Sequence, residues 1–454
     1  MNVLFVSNGF PPDRWAGTER YTASLAAALR ARGADVRVLC GGHWDTGPRA
    51  FNGAEDSAHE GTPVRRLHLN WTEAPDPFRW LYDNPETAGE VERTIDAFRP
   101  DVVHVTSCET LSASVLRAVK ARAVPLVLSL TDFWFLCPRQ TLLRTDGGLC
   151  DGRTTPADCL GCLARGSRAY RWPRRVLPEA ATGRLLQSVS RRPWLTRRRG
   201  LRGLVGDVGA RKAFLVRALE WPDARITASS FVRSVYRANG VRVPIDVRPY
   251  GHDLSWLTAA CRRTPSPILR LGYVGQIVEA KGLHVLLDAL ARLAPPIARR
   301  LHLDVHGDPA QSPAYGQRVL EQAAPLANVT FRGTYRHADS AATYGGMDVL
   351  VVPSLWYDFP LVAHEALATG APVVATNLGG LAETVTSEAN GLLFARGDAA
   401  DLAWQLTRLV TEPGLLDRLR QGIRPVRTIA DDAAELETLY GQLRGSMRRP
   451  SVIP

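Results

Sequence analysis

Short apolar runs alternate with amphipathic stretches along the whole chain. NVLFVS near the start gives way to a helix-like stretch from Thr18 to Arg32 and then to DVRVLC; DVVHVTS, a helix near 109–122 and PLVLSL follow. Strand-like runs joined through helical stretches are the spacing of βαβ units, which predicts a parallel sheet. A helix from about 213 to 240 and the strand DVRPYG would complete this half, with 252–267 as a connection. After residue 265 the alternation restarts with ILRLGYVG, LHLDVHG, NVTFRG, DVLVVPS, PVVATN and GLLF. A second α/β domain is expected there, giving domains at 1–260 and 261–430 and a terminal helix and tail at 431–454.

Composition narrows the class. The chain has 454 residues, 45% apolar and 22% charged, which excludes wholesale disorder, a collagen-like fibre and a small disulfide-stapled scaffold. It has no uncharged apolar run of about 18 residues, and no basic segment precedes the first apolar stretch, so that stretch reads as a strand and the expected location is cytoplasmic. The net charge of +11 is local: residues 163–219 hold fifteen Arg and Lys against only Glu179 and Asp207. No zinc-finger, helix-turn-helix or RNP pattern accompanies them, so nucleic acid is disfavoured as a partner. The arginines are mixed instead with Trp172, Leu177, Leu185, Trp194 and Leu201. That pairing suits a peripheral contact with an anionic membrane surface, the alternative being a solvated, partly helical insertion.

Candidate chemistry clusters where strands end. The loop from Asn8 to Gly17 opens a helix at Thr18, presenting backbone N–H groups where anions are commonly received. His104, in DVVHVTS, sits at a strand's carboxyl end, either as a hydrogen-bonding or acid-base group or as a packed residue. Thr131, Asp132, Trp134 and Arg139, in TDFWFLCPR, follow another strand and suit an acceptor surface. Cys137, Cys150, Cys159 and Cys162 form C-x12-C-x8-C-x2-C, enough thiolates for a structural Zn²⁺, with disulfides or free thiols as alternatives. In the second half, GYVGQIVEAKG puts Gly275 and Gln276 past a strand and Lys281, one of three lysines in the chain, where a helix begins. One ammonium there can offset a diphosphate leaving group. Glu365 lies in a helix on a small, apolar background, so its carboxylate needs a partner, a ribose diol or a buried cation. Gly379 and Gly380 offer unhindered amides at a further strand end.

These segments, carried by FPPDRWAGTERYTASLAAALRARG, TDFWFLCPR, GYVGQIVEAKG and PSLWYDFPLVAHEALATGAPVVAT, together resemble a GT-B-fold retaining glycosyltransferase of family GT4. The resemblance implies two Rossmann-like domains facing a cleft, and transfer of a sugar from a nucleoside-diphosphate-sugar to a hydroxyl acceptor with retention. It implies no catalytic metal, in keeping with the lack of an Asp-x-Asp. It assigns Lys281 to the diphosphate, Gly17 and Thr18 to the donor phosphates, and Glu365 to the ribose as the second glutamate of an E-x7-E motif. The donor-binding segment it marks also includes Tyr357, Phe359, Pro360, Leu361 and Val362. The chain departs from the family at Thr18, where a second glycine is usual, and at Gln276, where arginine is. Tyr357 or Asp358, the latter a candidate catalytic group, takes the place of the first glutamate, and Thr131 that of a histidine. A binding or scaffold protein that has lost transfer is the alternative these departures leave. A dinucleotide oxidoreductase is disfavoured, because no G-x-G-x-x-G follows the first strand.

Overall fold

A parallel strand covered on both faces by helices must be apolar at consecutive positions, and the Val- and Leu-rich runs meet that demand. Strands β5 (Val102–Val105), β6 (Leu126–Ser129), β12 (Val349–Val352) and β13 (Val373–Thr376) are buried at every position. The computed structural model describes residues 1–166, 177–192, 194, 208–257, 265–356 and 361–448. They divide into two units, Met1–Gly251 with Ile429–Pro454, and His252–Thr428.

The first unit is an eight-stranded sheet in the order β3-β4-β2-β1-β5-β6-β7-β8. Its remaining strands are β1 (Asn2–Ser7), β2 (Asp35–Gly41), β3 (Phe51–His59), β4 (Thr62–Leu69), β7 (Ala224–Thr227) and β8 (Asp246–Val247). All neighbours pair in parallel except the β3–β4 hairpin at one edge. The helix Gly17–Ala31 buries Tyr21, Thr22, Leu25, Ala26 and Leu29, a stripe at helical spacing.

The continuous helix expected over 213–240 is instead two, Val208–Ala218 and Ser230–Ala238, with β7 between them. Pro222 removes a helical donor, β7 pairs with β6, and the Ser229 hydroxyl caps the second helix by accepting the Val232 N–H.

The terminal helix Ile429–Arg448 belongs to the first unit, and the division falls at 251/252 rather than 260/261. Buried polar contacts account for this. Asp432 accepts the Tyr21 hydroxyl and the Gly251 N–H, both at 2.9 Å, while Leu436 and Tyr440 are fully buried. Part of the Arg-rich insertion, at 167–176, 193 and 195–207, lies outside the described residues. What is described includes the helix Glu179–Ser190 and three exposed apolar side chains, Leu177, Leu185 and Trp194.

The second unit is a six-stranded parallel sheet, β11-β10-β9-β12-β13-β14, which adds β9 (Leu269–Val274), β10 (Leu301–His306), β11 (Val329–Gly333) and β14 (Gly391–Phe394). Separate apolar clusters, one around Leu286, Leu303 and Phe394 and one around Tyr344, Leu350 and Ala363, build its core. Parallel β9, β12 and β13 are neighbours, so their carboxyl ends share one edge, where α/β sheets receive ligands.

Candidate functional site

The edge of the second unit is shaped by backbone more than by side chains. Gly275 follows β9 with φ +149°, and its N–H donates to the His306 carbonyl at 3.0 Å. Tyr273 donates its hydroxyl to the Gln276 carbonyl at 2.8 Å, which fixes the turn. One 3₁₀ turn, Glu279–Lys281, is then closed by Gly282 at φ +72° before the helix Leu283–Ala291. A Cβ on Gly282 would stand 1.9 Å from the Pro353 carbonyl oxygen, so only glycine lets this turn seat against the end of β12. The Leu355 N–H donates to the Ala280 carbonyl at 2.8 Å and locks the two loops together. Lys281 is thereby held at the sheet edge, its ammonium 5.7 Å from the centre of the Trp356 ring.

A second cation, Arg396, reaches the same place and donates from Nε to the Leu355 carbonyl at 2.6 Å. The sequence reading passed over it, although its position two residues past β14 was a usable signal. Gly379 and Gly380 open the short turn of helix Gly379–Thr384 beyond β13.

Glu365 lies on the helix Leu361–Ala368, 4% exposed, and accepts the Tyr344 hydroxyl. The partner that burial demands is thus, in part, a tyrosine from the neighbouring core. Burial first and the Glu365 charge second hold the Tyr344 phenol well above its ordinary pKa. Leu361 and Val362 begin the same helix and are half-buried. Tyr357, Asp358, Phe359 and Pro360 lie outside the described residues.

In the first unit β1, β5 and β6 are parallel neighbours whose carboxyl ends also share an edge. Gly17 begins the 15-residue helix there, with nothing within 4 Å of where a Cβ would stand, so the protein itself does not need the glycine. Thr18 follows on the same turn, its carbonyl accepting the Thr22 hydroxyl at 2.7 Å. Thr131 and Asp132 stand half-buried just past β6.

His104 is a packing residue rather than an acid-base group. It is wholly buried, with Nδ1 2.6 Å from the Tyr440 hydroxyl and Nε2 2.8 Å from the Ser129 hydroxyl, and burial pushes its pKa down to about 3. Trp134 also leaves the acceptor surface. Its ring is 6% exposed beneath the Arg211 guanidinium, whose Nη2 donates to the Trp134 carbonyl at 2.6 Å. Arg139 is exposed and donates to the Leu143 carbonyl at 3.1 Å.

The four clustered cysteines are separate, half-buried thiols. Cys137 and Cys150 accept the N–H of the residue two positions on, at 3.4 and 3.3 Å, while Cys159 and Cys162 meet the hydroxyls of Thr154 and Thr145. Among the described residues no three His, Cys, Asp or Glu side chains are grouped so as to hold a metal ion.

Comparison with known proteins matches both units. Residues 16–251 match the model of the glycosyl transferase 4-like domain, and residues 269–412 that of glycosyl transferases group 1. A D-inositol 3-phosphate glycosyltransferase of Stackebrandtia nassauensis is 38% identical over 250 residues, 51% of this chain, which spans only 56% of that relative's length. A glycogen synthase of Mycobacterium tuberculosis is 25% identical over 99% of this chain and 95% of its own. Among solved structures, a sucrose-phosphate synthase from Thermosynechococcus elongatus superposes with a TM-score of 0.64 at 21% identity, over 98% of this chain and 99% of its own. Each unit's parallel sheet accords with that fold.

Proposed function

The chain belongs to the glycosyl transferase 4-like family, and from that premise we propose that it transfers a sugar from a nucleoside-diphosphate-sugar to a hydroxyl acceptor, with anomeric configuration retained and without a catalytic metal. The observation that carries this reading is the seat of Lys281: the Gly282–Pro353 approach and the Ala280–Leu355 hydrogen bond hold an ammonium at the tips of β9 and β12.

In this reading the donor diphosphate lies against Lys281, the Gly275–Gln276 turn and the Gly379–Gly380 amides. Preorganised donors stabilise charge most where it develops, here on the departing phosphate oxygen. Glu365 accepts from the ribose, its orientation fixed by Tyr344. Gly17 and Thr18, at the start of a long helix, offer backbone N–H groups suited to a phosphate. Acceptor groups are drawn from the edge of β5 and β6, where Asp132 stands.

The test is a panel of nucleoside-diphosphate-sugars incubated with candidate glycan, lipid-linked glycan and small hydroxyl acceptors, with release of the nucleoside diphosphate followed and the product's anomeric coupling read by NMR. Product with the donor's configuration, formed with chelator present, is expected; inverted product or a strict metal requirement overturns those parts. Thr131, at a position where the family carries histidine, and the missing first glutamate, whose place Tyr357 or Asp358 takes, motivate the second reading, a nucleotide-binding protein without transfer. Calorimetric binding with no product across the panel would favour it.

We propose in addition that the basic insertion docks on an anionic membrane surface. Leu177, Leu185 and Trp194 are 41%, 57% and 56% exposed beside Arg184, Arg191 and Arg192, and apolar anchors among cations suit lipid headgroups. No helix among the described residues is long and apolar enough to cross a membrane. Binding to phosphatidylglycerol vesicles that falls with salt and disappears on deleting residues 165–212 is expected; binding indifferent to that deletion refutes it.

A further inference from the structure

The stretch His252–Leu257, expected from the sequence to open a connection, is folded into the second unit. Two of its side chains stack on the surroundings of Glu365. The His252 ring lies 4.3 Å from the His364 ring at an interplanar angle of 17°, and His364 directly precedes Glu365 on its helix. Four residues on, the Trp256 ring lies 5.4 Å from the Tyr344 ring at 25°. Tyr344 is the residue whose hydroxyl donates to the Glu365 carboxylate. One short segment thus braces both the residue before this carboxylate and its hydroxyl donor.

Trp256 is itself fixed. It is buried, its Nε1–H donates to the Asp253 carbonyl at 2.9 Å, and the Leu257 N–H donates to the Leu254 carbonyl at 3.0 Å, closing a turn around it. Asp253 anchors that turn: its Oδ1 accepts the Ser255 N–H at 3.0 Å, and its Oδ2 stands 3.6 Å from His337 Nε2. Leu254 and Leu257 pack against the apolar cluster that holds Trp256, Tyr344, Ala363 and Ala366. The Glu365 helix offers this cluster chiefly alanine, so the indole face is the broad surface against which the Tyr344 ring is held. The Tyr344 hydroxyl also bonds to the Tyr335 side chain, so a tilt of the ring would move it from one partner to the other. A buried carboxylate costs free energy that an apolar residue would avoid. The chain keeps one here and supports it through two packed layers.

We propose that Trp256 is a positioning residue for nucleoside recognition: acting through Tyr344, it holds the Glu365 carboxylate in the orientation from which it accepts the hydrogen bonds of a ribose diol. This rests on the reading of Glu365 given above, and it involves residues of the second unit alone. Polar groups that bind a ligand keep their geometry only where the residues behind them are locked by packing and hydrogen bonds, and Trp256 is locked by both. The phosphates, placed against Lys281 and the glycine turns, do not draw on this support.

Calorimetry with UDP, ADP, GDP, CDP and dTDP selects the diphosphate that wild type binds most tightly, and that compound and pyrophosphate are the two probes. Trp256→Leu and Trp256→Met keep the position apolar but remove the ring. Each should weaken nucleoside diphosphate binding by about 3- to 30-fold. Pyrophosphate affinity should hold, which also shows that the variant is folded. Trp256→Phe returns a ring to Tyr344 and should bind the diphosphate within about twofold of wild type. In a Tyr344→Phe background Trp256→Leu should add less than about twofold, because the link to Glu365 is already cut, whereas independent packing losses would multiply. Unchanged diphosphate affinity in the ringless variants, equal losses for both probes, no rescue by Trp256→Phe, or losses that multiply with Tyr344→Phe overturn the assignment of Trp256 alone. A wild type that binds none of the five diphosphates, or a Glu365→Gln variant that binds the selected one as tightly as wild type, overturns the ribose reading and this assignment with it.

Discussion

His104 offers a pH test worked directly from the structure. Its ring bridges the Tyr440 and Ser129 hydroxyls in a site with no exposure, and burial lowers its pKa from 6.5 to about 3. The folded state thus resists a proton that the unfolded chain accepts below pH 6.5. The stabilisation from the neutral ring is whole above that pH and is lost as pH falls toward 3, at about 1.4 kcal/mol per pH unit. By pH 4 about 3 kcal/mol should have gone. His104→Gln cannot titrate; it should cost about 1–3 kcal/mol at pH 7.5, because one of the two buried hydroxyls loses its partner. The stability difference between wild type and variant should then shift by about 3 kcal/mol in the variant's favour between pH 7.5 and pH 4. Urea unfolding at several pH values, followed by pulse proteolysis of first-unit peptides, measures it. A gap that stays constant with pH refutes the linkage. A variant with wild-type stability but abolished donor turnover would return His104 to the chemistry.

Gly282→Ala should lower the melting temperature and weaken nucleoside diphosphate binding, because the added Cβ meets the Pro353 carbonyl at 1.9 Å and must shift the turn that carries Lys281; unchanged affinity would mean that this turn is not the phosphate seat. Tyr344→Phe should destabilise the second unit by about 1–3 kcal/mol, since it strips a donor from the buried Glu365 carboxylate. It should weaken binding of the nucleoside more than binding of pyrophosphate, and equal losses for both would argue against Glu365 as the ribose acceptor.

Much of the architecture was legible because it rests on local rules. The runs at 2–7, 102–105, 349–352 and 373–376 are strands since consecutive apolar residues suit a sheet covered on both faces. The helix boundary at Thr18 was off by one residue. The β3–β4 hairpin was missed, although Glu60 and Gly61, both at positive φ, are the two-residue turn its pairing requires. The split of 213–240 was signalled by Pro222 and by Ser229 as a cap, but helical periodicity masked both. The allegiance of the last helix was not readable, because Tyr21–Asp432 and His104–Tyr440 join residues hundreds of positions apart. For the same reason burial separated His104 and Trp134 from the edge residues beside them.

The most direct measurement titrates a nucleoside diphosphate and its parent nucleoside, separately, into wild type and Lys281→Met by calorimetry. A charge-assisted contact of about 1.5–3 kcal/mol predicts that diphosphate affinity falls by about 10- to 150-fold in the variant while nucleoside affinity holds. Equal diphosphate affinity in the two proteins would contradict the account.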